Sequence, residues 1–296
     1  MTGRALAPAV TVVIATRDRR DSLLRSLARL AALPERPPLV VVDNASADGT
    51  PAAVRRRFPQ VDLVELPANR GATARNVGVA RSATRHVAFA DDDSWWTPGS
   101  LTRAVAALDR HPRLAVVVAR VELEPDGTVD AVSRKLALGR LGREPGLPGP
   151  RVLSFPACAA VVRRAAFAQV GGFSPLLFFG GEEQLLATDL AAAGWQLVYD
   201  DGVVVRHAPA NPQLTPARWA LQERNDVLVR WLRRPWPAAL GATLRLARQA
   251  LTDPAAAGAV AGLLWRLPAA LRDRRPVTAA LEQQLRQAER PAAPVT

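Results

Sequence analysis

Residues 87–96 read Val-Ala-Phe-Ala-Asp-Asp-Asp-Ser-Trp-Trp, and the rest of the chain is interpreted from this stretch. The apolar run 87–90 predicts a short buried strand that ends in three adjacent carboxylates, Asp91, Asp92 and Asp93. Because adjacent carboxylates repel one another, a fold that gathers them must supply a cation or basic neighbours. Oxygen ligands at a strand end suit Mg²⁺ or Mn²⁺, which also bind phosphates. A solvated acidic turn that caps the next helix is the alternative at this point.

The composition indicates a folded globular protein that binds anionic partners. Of the 296 residues, 49% are hydrophobic, which is enough to form a full core, and 22% are charged. The net charge is +12, and Lys135 is the only lysine among 39 basic residues. Arginine favours bidentate contacts with phosphate and carboxylate. The expected partners are therefore phosphorylated ligands, nucleic acid or an anionic membrane surface.

The cysteine content and the apolar segments indicate the cellular compartment to expect. The single cysteine, Cys158, excludes an internal disulfide and a Cys-cluster zinc site, and its apolar neighbours predict a buried, inert thiol. The N-terminal residues lack the pattern of a signal peptide. The apolar stretch 255–265 is shorter than the ~20 residues of a membrane span. We expect a cytoplasmic protein, and peripheral attachment to the inner face of the plasma membrane stays open.

Apolar runs alternate with helical periodicity through the first 121 residues. Strands are predicted at 10–15, 39–42, 61–66, 87–90 and 114–121, and helices at 21–33, 71–82 and 100–109. Continuous apolar strands separated by helices are typical of a parallel sheet covered on both faces. The predicted fold class is α/β, with a Rossmann-like, mostly parallel central sheet.

Polar side chains follow four of these strands. Thr16 and Arg17 follow the first strand, Asp43 the second, Asn69 the third and the carboxylate triplet the fourth. Ligands bind at the carboxyl ends of the strands in such sheets. Four polar loops at one edge favour a binding site over an acidic turn.

The second half of the chain is less regular. Residues 124–150 predict a loop or flap, and the pattern is helical and Arg-rich from about 209 onward. Between them, strands are predicted within 152–163 and at 195–199 and 203–206, and a helix at 182–193.

Five segments together resemble the family 2 glycosyltransferases of the GT-A fold. They are VTVVIATRDR (10–19), VVVDNASADGT (40–50), NRGATARNVGVA (69–80), FADDDSWW (89–96) and GGEEQLLATDLAAAGW (180–195). The resemblance covers roughly residues 9–232. It implies transfer of a sugar from a UDP- or dTDP-linked donor to an acceptor hydroxyl, with inversion and with Mn²⁺ or Mg²⁺.

The resemblance also implies a domain organisation. A glycosyltransferase domain, 1–232, would contain a nucleotide-binding half at about 9–120 and an acceptor-binding half at about 121–232. Residues 233–296 would form an Arg-rich helical extension.

The resemblance assigns donor binding to the polar strand ends. Asp43 stands where the family places a carboxylate that accepts a base N–H. Arg17 replaces a frequent aromatic, and could stack on the base or be a solvated loop residue. Arg75 could meet the diphosphate or an aspartate of the triplet. The donor-binding residues implied are Thr16, Arg17, Asp43, Asn69, Gly71, Arg75, Asp91 and Asp92.

Metal binding is implied for two carboxylates and a histidine. Asp91 and Asp93 match the family's D-x-D pair, whereas Asp92 would point into the structure or toward an arginine. His207 follows the last predicted strand, where family members often place a metal-coordinating histidine. A structural histidine is the alternative.

The catalytic base is implied at Gly181-Glu182-Glu183, where the family usually has Gly-Glu-Asp. Glu183 would take the proton of the acceptor hydroxyl. Glu182 stays an alternative because glutamate is longer than aspartate and shifts the carboxylate by about 1 Å. Acids that complement a helix dipole are the structural interpretation.

Acceptor contacts are implied for two further pairs. One of Trp95 and Trp96 would pack in the core, and the other could form the floor of the sugar or acceptor site. Arg224 and Asn225 match an Arg-Asn element on a helix of related members, and a basic helix face is the alternative.

The C-terminal segment 231–296 contains ten arginines and only four acids. Its leucines and arginines predict helices that either bind a membrane surface or pack on the catalytic domain with a solvated Arg face. A membrane-facing tail would suit a lipid-linked or cell-envelope glycan as acceptor.

Three other functions are weighed against the transferase. A homologue could bind donor without turnover. A sugar-phosphate nucleotidyltransferase would require a Gly-rich phosphate loop with a lysine, which residues 17–20 do not offer. A nucleic-acid-binding protein has only the charge in its favour, since the sequence contains no recognisable motif, and we expect no nucleic-acid partner.

Overall fold

A computed structural model describes residues 9–209 and 215–290. The described residues form nine strands: β1 (Val10–Thr16), β2 (Leu39–Asp43), β3 (Asp62–Glu65), β4 (His86–Ala90), β5 (Ser94–Trp96), β6 (Leu114–Leu123), β7 (Thr128–Val129), β8 (Ala160–Arg163) and β9 (Gln196–His207).

Eleven α-helices surround these strands in the same part of the chain: α1 (Arg20–Ala31), α2 (Thr50–Arg57), α3 (Ala74–Arg81), α4 (Ser100–Arg110), α5 (Ala131–Ala137), α6 (Arg164–Gln169), α7 (Glu182–Ala192), α8 (Pro216–Arg233), α9 (Trp236–Gln249), α10 (Pro254–Arg272) and α11 (Ala279–Glu289). Two short 3₁₀ turns lie at Gly71–Thr73 and Ala157–Ala159.

The strands form one mixed sheet in the order β3-β2-β1-β4-β8-β6-β9-β5, with β7 paired to β6. The first four strands in this order are parallel, as the sequence predicts. Beyond β4 the sheet is mixed, because β8 runs antiparallel to both β4 and β6. Strand order reverses at β1, since β2 and β4 lie on its two sides. Such a switch point opens a crevice at the carboxyl ends of the strands.

Both faces of the sheet are buried, which explains the continuous apolar runs. On one face Val12 and Ile14 of β1 pack with Leu23 and Leu27 of α1. On the other face the core includes Val13 and, from β4, Phe89. Alternate residues of each strand therefore enter different cores, and both must be apolar.

The C-terminal helices pack on the rest of the protein. Leu228 of α8, Leu246 of α9 and Leu263 of α10 belong to one buried apolar cluster. Arg233 forms an ion pair with Asp189 of α7. The packing alternative for the C-terminal segment is thus realised on one side of these helices.

Several predicted elements differ from the structure. The two strands predicted at 195–199 and 203–206 are one strand, β9, because its pairing with β6 continues through a register shift after Ala119. The strand predicted within 152–163 is confined to Ala160–Arg163. Residues 124–150 include β7 and α5 as well as loops. The helix predicted at 71–82 begins as a 3₁₀ turn.

Two helical glycines provide a matched test of this packing. A Cβ on Gly78 of α3 would overlap a methyl group of Val13 on β1, whereas a Cβ on Gly258 of α10 would meet no atom within 4 Å. Alanine gains ~1 kcal/mol of helix propensity over glycine, and overpacking costs ~1–3 kcal/mol.

We expect Gly78→Ala to lower the free energy of unfolding by about 1 kcal/mol or more and Gly258→Ala to raise it slightly. Urea unfolding measures both. Equal effects of the two substitutions would contradict the close approach of α3 to β1.

Candidate functional site

A cleft of about 370 Å³ lies at the carboxyl ends of β1, β2 and β4. Several residues implied by sequence for donor and metal binding line it, namely Thr16, Arg17, Asn69, Gly71, Arg75, Asp91, Asp92 and Asp93. The switch point in strand order therefore brings together side chains that are up to 77 positions apart in the sequence.

The three aspartates have different partners. Asp91 accepts a hydrogen bond from Arg75 Nη2 at 2.6 Å. Asp92 accepts from Thr16 Oγ1 and from Arg19 Nε, both at 3.0 Å. Asp93 accepts from Arg19 Nη2 at 2.7 Å. Two arginines thus supply the basic neighbours that three adjacent carboxylates require.

Burial and these contacts shift the pKa values of Asp92 and Asp93. Burial raises the pKa of Asp92 to about 6, against the opposing charge of Arg19. Burial would also raise the pKa of Asp93, but the hydrogen bond and charge of His207 outweigh it and the pKa is lowered. His207 Nε2 lies 3.2 Å from Asp93 Oδ1, and this hydrogen bond raises the pKa of His207.

The donor set of Asp91, Asp93 and His207 is compatible with a divalent cation. Within residues 9–209 and 215–290, no three His, Cys, Asp or Glu side chains lie close enough to hold a metal by themselves. Mg²⁺ is usually held by one or two carboxylates together with substrate phosphates. The residues therefore fit a cation shared with a phosphorylated ligand better than a closed protein cage.

Asp43 has a buried oxygen without a partner. Its side chain is 2% exposed, and Oδ2 accepts from the Ser46 N–H at 2.9 Å. Oδ1 finds no donor among the described residues. An unpaired buried acceptor is unfavourable unless a ligand satisfies it. Asp43 does not form part of the cleft wall as it stands.

The segment 177–181, here called the phenylalanine loop, forms a further wall of the cleft. Phe178 and Phe179 are each 37% exposed and line the cleft. The Phe178 carbonyl accepts from the Ala72 N–H at 2.6 Å. Any Cβ on Gly71, whose φ is +57°, would overlap that carbonyl oxygen. Gly71 is therefore required for the loop to approach the 3₁₀ turn.

Arg224 and Asn225 lie beneath this loop and not in the cleft wall. Asn225 is fully buried, and its amide donates to the carbonyls of Leu177, Phe179 and Gly180 at 2.6–2.9 Å. Arg224 donates to the Leu177 carbonyl at 3.1 Å and to Asn225 Oδ1 at 2.8 Å. In this geometry the pair holds the loop in place, a different position from the acceptor or diphosphate contact predicted from the sequence.

Two glutamates begin α7 directly after the loop. Glu182 is 2% exposed, and its Oε1 lies 4.0 Å from Arg75 Nη1. Burial and the neighbouring Glu183 raise the pKa of Glu182 to about 7. Burial also raises the pKa of Glu183, against the charge of Arg75. Glu183 is the more exposed of the two, although neither is part of the cleft wall.

Neither tryptophan after the triplet lines the cleft. Trp96 is 1% exposed, and its Nε1 donates to the Phe89 carbonyl at 3.1 Å. Trp95 packs against the core, with the Arg29 guanidinium 5.8 Å from its ring centroid. Trp96 is thus the tryptophan that packs in the core, and Trp95 is half-buried outside the cleft wall. A contact of Trp95 with sugar or acceptor stays a prediction.

Several cleft residues were not predicted from the sequence. Arg19 contacts two carboxylates of the triplet, and Arg218 lies with its guanidinium 5.4 Å from the Phe179 ring centroid. Asn44 links two loops by accepting from the Arg70 N–H and donating to the Gly71 carbonyl. The need for basic neighbours beside the triplet was the one signal that could have identified Arg19.

The role of Asn225 under the phenylalanine loop gives a stability prediction. Asn225→Ala removes the donor of the Phe179 and Gly180 carbonyls, which should lower the free energy of unfolding by about 1–3 kcal/mol. It should also speed hydrogen exchange at the Ala72 amide, which bonds the loop. Gln222→Ala, an exposed position on the same helix, is the control. Unchanged exchange at Ala72 in Asn225→Ala would contradict the role.

The raised pKa of Glu182 gives a prediction for stability against pH. The unfolded chain has the ordinary pKa of 4.5 and the folded chain a pKa of about 7. Between these values the unfolded state ionises first, so raising the pH lowers the free energy of unfolding. Between pH 5 and pH 8, the free energy of unfolding of Glu182→Gln should therefore fall by about 1–3 kcal/mol less than that of the unmodified protein. Urea unfolding at the two pH values tests it, and an unchanged fall would contradict the assignment.

Comparisons with known proteins support a common family. The family model described as Glycosyl transferase family 2 matches residues 11–171. The N-acetylglucosaminyl-diphospho-decaprenol L-rhamnosyltransferase of Mycobacterium tuberculosis is 32% identical over 234 residues, covering 68% of this chain and 76% of that protein.

Solved structures show the same fold. A mannosyltransferase from Pyrobaculum calidifontis, in complex with GDP-Man and Mn²⁺, has a TM-score of 0.60 at 23% identity and covers 96% of this chain and 86% of that one. GalNAc-T7 with UDP, GalNAc and Mn²⁺ has a TM-score of 0.62 at 14% identity, over 78% of this chain and 49% of that chain. Both likenesses concern the fold.

Proposed function

We propose that this chain, which belongs to glycosyltransferase family 2 and has the GT-A fold, transfers a sugar from a UDP- or dTDP-linked donor to an acceptor hydroxyl. The observation that carries the proposal is the cleft at the sheet's switch point. There Asp91, Asp93, Arg75 and Gly71 line the same cleft. A nucleoside diphosphate needs such a combination of cationic side chains, close backbone approach and oxygen ligands.

The base of the donor would bind beside Asp43. Its unpaired Oδ1 is an acceptor that the imide N–H of uracil or thymine would satisfy. The nucleotides in the structural neighbours are UDP and GDP, which supports a nucleoside diphosphate as the ligand class. Thr16, Arg17 and Asn69 are the polar residues of the cleft wall that would contact the rest of the donor.

The diphosphate would lie against the carboxylate triplet. Asp91 and Asp93, with His207, would hold Mn²⁺ or Mg²⁺ there. Bound at this point, the cation would neutralise charge on the leaving nucleotide. Mn²⁺ in both structural neighbours supports a divalent metal. Arg19 and Arg75 already balance the carboxylates, and either guanidinium could turn to the diphosphate when the donor enters.

Proton transfer would fall to the acid pair at the start of α7. We favour Glu183 as the base that takes the acceptor proton because it is more exposed than Glu182. The raised pKa of Glu183 makes its carboxylate a stronger base for this proton. The acceptor oxygen would attack from the face opposite the diphosphate and invert the anomeric centre. Arg75, buried between Asp91 and the acids, would keep the pair oriented.

The named relative supports a class of acceptor. That enzyme's name describes transfer to a decaprenol-linked diphosphate glycan, which supports a lipid-linked or cell-envelope glycan here. Such an acceptor lies in a membrane, so the transferase would work at its cytoplasmic face. We further propose residues 1–232 as the transferase domain and 233–296 as its extension.

Two rival functions have weaker support. A donor-binding homologue without turnover would explain glutamate where the family usually has aspartate at position 183. A sugar-phosphate nucleotidyltransferase would need a phosphate loop with lysine, and residues 17–20 offer arginines without glycines.

Donor binding tests the proposal directly. Calorimetric titration with a panel of UDP- and dTDP-sugars, with and without Mn²⁺, should show binding that requires the metal. Asp93→Asn should weaken the metal-dependent binding by about 10–100-fold. Asp273→Asn, an exposed carboxylate on the C-terminal segment, should bind as the unmodified protein does.

Two results would contradict the proposal. One is equal donor binding by Asp93→Asn and by the unmodified protein. The other is binding only to nucleic acid, with an affinity that falls steeply with salt.

A further inference from the structure

The helices α9 and α10 expose an unusual share of apolar surface. Among the described residues, seven of the eleven exposed large apolar side chains lie between residues 236 and 271. Trp265 is 82% exposed and Leu251 is 84% exposed. Apolar side chains concentrated on one segment, rather than scattered singly, indicate an interaction surface.

The outer face of α10 is apolar along most of its length. Leu264, Trp265 and Leu271 are exposed, and the small residues Ala257 and Ala261 share their side at helical spacing. The opposite side, including Leu263, is buried against α8. Before Arg272, the described length of α10 carries one arginine, the half-buried Arg266, so the Arg face predicted for these helices is not formed along α10.

The length of α10 also corrects an expectation from the sequence. The helix has 19 residues and contains an 18-residue window with a mean hydropathy of 1.3, so it is long and apolar enough to cross a membrane by those measures alone. The sequence predicted a shorter apolar stretch because Arg266 and Pro268 interrupt it. Contact of one side with α8 favours a helix that lies along a surface over one that spans a bilayer.

A second apolar stripe lies on α9. Trp236, Leu240 and Leu244 are spaced four residues apart, and each is about half exposed. Residues at this spacing share one side of a helix. Leu251 follows in the turn between α9 and α10. The two helices thus present neighbouring apolar stripes from one end of the molecule.

The exposed charge on this segment is mainly positive. Arg245, Arg248 and Arg275 are exposed, and in the described part of the chain none of them pairs with a carboxylate. Two acids of the segment are engaged, because Asp253 caps α10 and Glu282 is buried against Arg234. Free arginines beside apolar stripes are complementary to the phosphates of anionic lipids.

We propose that the outer faces of α9 and α10 dock on an anionic lipid bilayer. Leu264 and Trp265 would enter the boundary between headgroups and acyl chains, and Arg245 and Arg248 would contact lipid phosphates. The proposal goes beyond the transfer reaction, since it rests on these exposed faces and on no property of the cleft.

The docking surface lies one helix away from the cleft. Near its start, α8 contributes Arg218 and Leu221 to the cleft wall. Further along, its Arg224 packs against Gly262 of α10. A bilayer held by α9 and α10 would therefore lie close to the phenylalanine loop.

Vesicle flotation tests the proposal. The full chain should float with vesicles containing about 30% phosphatidylglycerol, and weakly with phosphatidylcholine alone. The double substitution Leu264→Gln/Trp265→Gln should reduce the bound fraction at least about tenfold. Leu138→Gln, at a similarly exposed leucine elsewhere, should float as the unmodified chain does. Arg245→Gln/Arg248→Gln should lose the preference for anionic vesicles.

A spectroscopic readout covers the case in which the double substitution disturbs folding. The difference in emission between the unmodified chain and Trp265→Phe should shift to shorter wavelength when anionic vesicles are added. An unshifted difference spectrum would overturn the proposal, as would equal flotation of all variants. A concentration-dependent dimer in sedimentation that Leu264→Gln/Trp265→Gln abolishes, without vesicle binding, would assign the surface to a second copy of the chain.

This test separates the docking surface from the proposed transfer. Vesicle binding without metal-dependent donor binding would sink the function and leave the surface. Donor binding without vesicle binding would overturn the docking surface and leave the proposed transfer reaction.

Discussion

The buried guanidinium of Arg75 is the interaction on which the site depends. It is 6% exposed, bonds Asp91 at 2.6 Å and lies 4.0 Å from Glu182. Burial would lower the pKa of Arg75, but Asp91, Glu183 and Glu182 outweigh it and raise the pKa, so the side chain stays cationic. Without this cation, the charge of Asp91, just after β4, would add uncompensated to that of the two glutamates of α7. One arginine thus balances both the carboxylates proposed to bind a metal and those proposed to transfer a proton.

The segment that carries Arg75 also helps to fix the phenylalanine loop. Asn69 accepts from the Gly71 N–H and shapes the turn, and Gly71 leaves room for the Phe178 carbonyl. Asn76 makes two hydrogen bonds with the backbone of Phe173. From below, Asn225 holds the same loop by three carbonyls. The carbonyls of the phenylalanine loop are therefore held by hydrogen bonds from the 3₁₀ turn and from α8. The acid pair of α7 begins where the loop ends.

The sequence predicts some of this arrangement well and some of it not at all. Strands β1, β2 and β4 are predictable because a strand buried on both faces reads as a continuous apolar run. The break predicted in β9 came from Asp200-Asp201-Gly202, which resembles a turn but is accommodated as an irregularity in a continuous strand. The strand β5 is missed because three residues are too few for a periodic signal.

The site residues likewise include some that the sequence predicts and some that it does not. The aspartate triplet and Arg75 were identified from motifs, and the structure brings them into contact. The contacts of Arg19 with Asp92 and Asp93 join residues more than 70 positions apart, and no local pattern encodes that pairing. Asn225 was identified, but its position was not, since its partners are carbonyl groups 45–48 residues upstream. Main-chain acceptors carry no side-chain signature that a sequence could reveal.

The central claim is that one cleft binds a nucleotide sugar and that Glu183 takes the acceptor proton. The most direct measurement is the transfer rate of Glu183→Gln, followed by mass spectrometry of the products, with Glu182→Gln as the matched variant. The account predicts a rate about 10²–10⁴-fold lower for Glu183→Gln, with donor affinity retained. An undiminished rate in Glu183→Gln would contradict it.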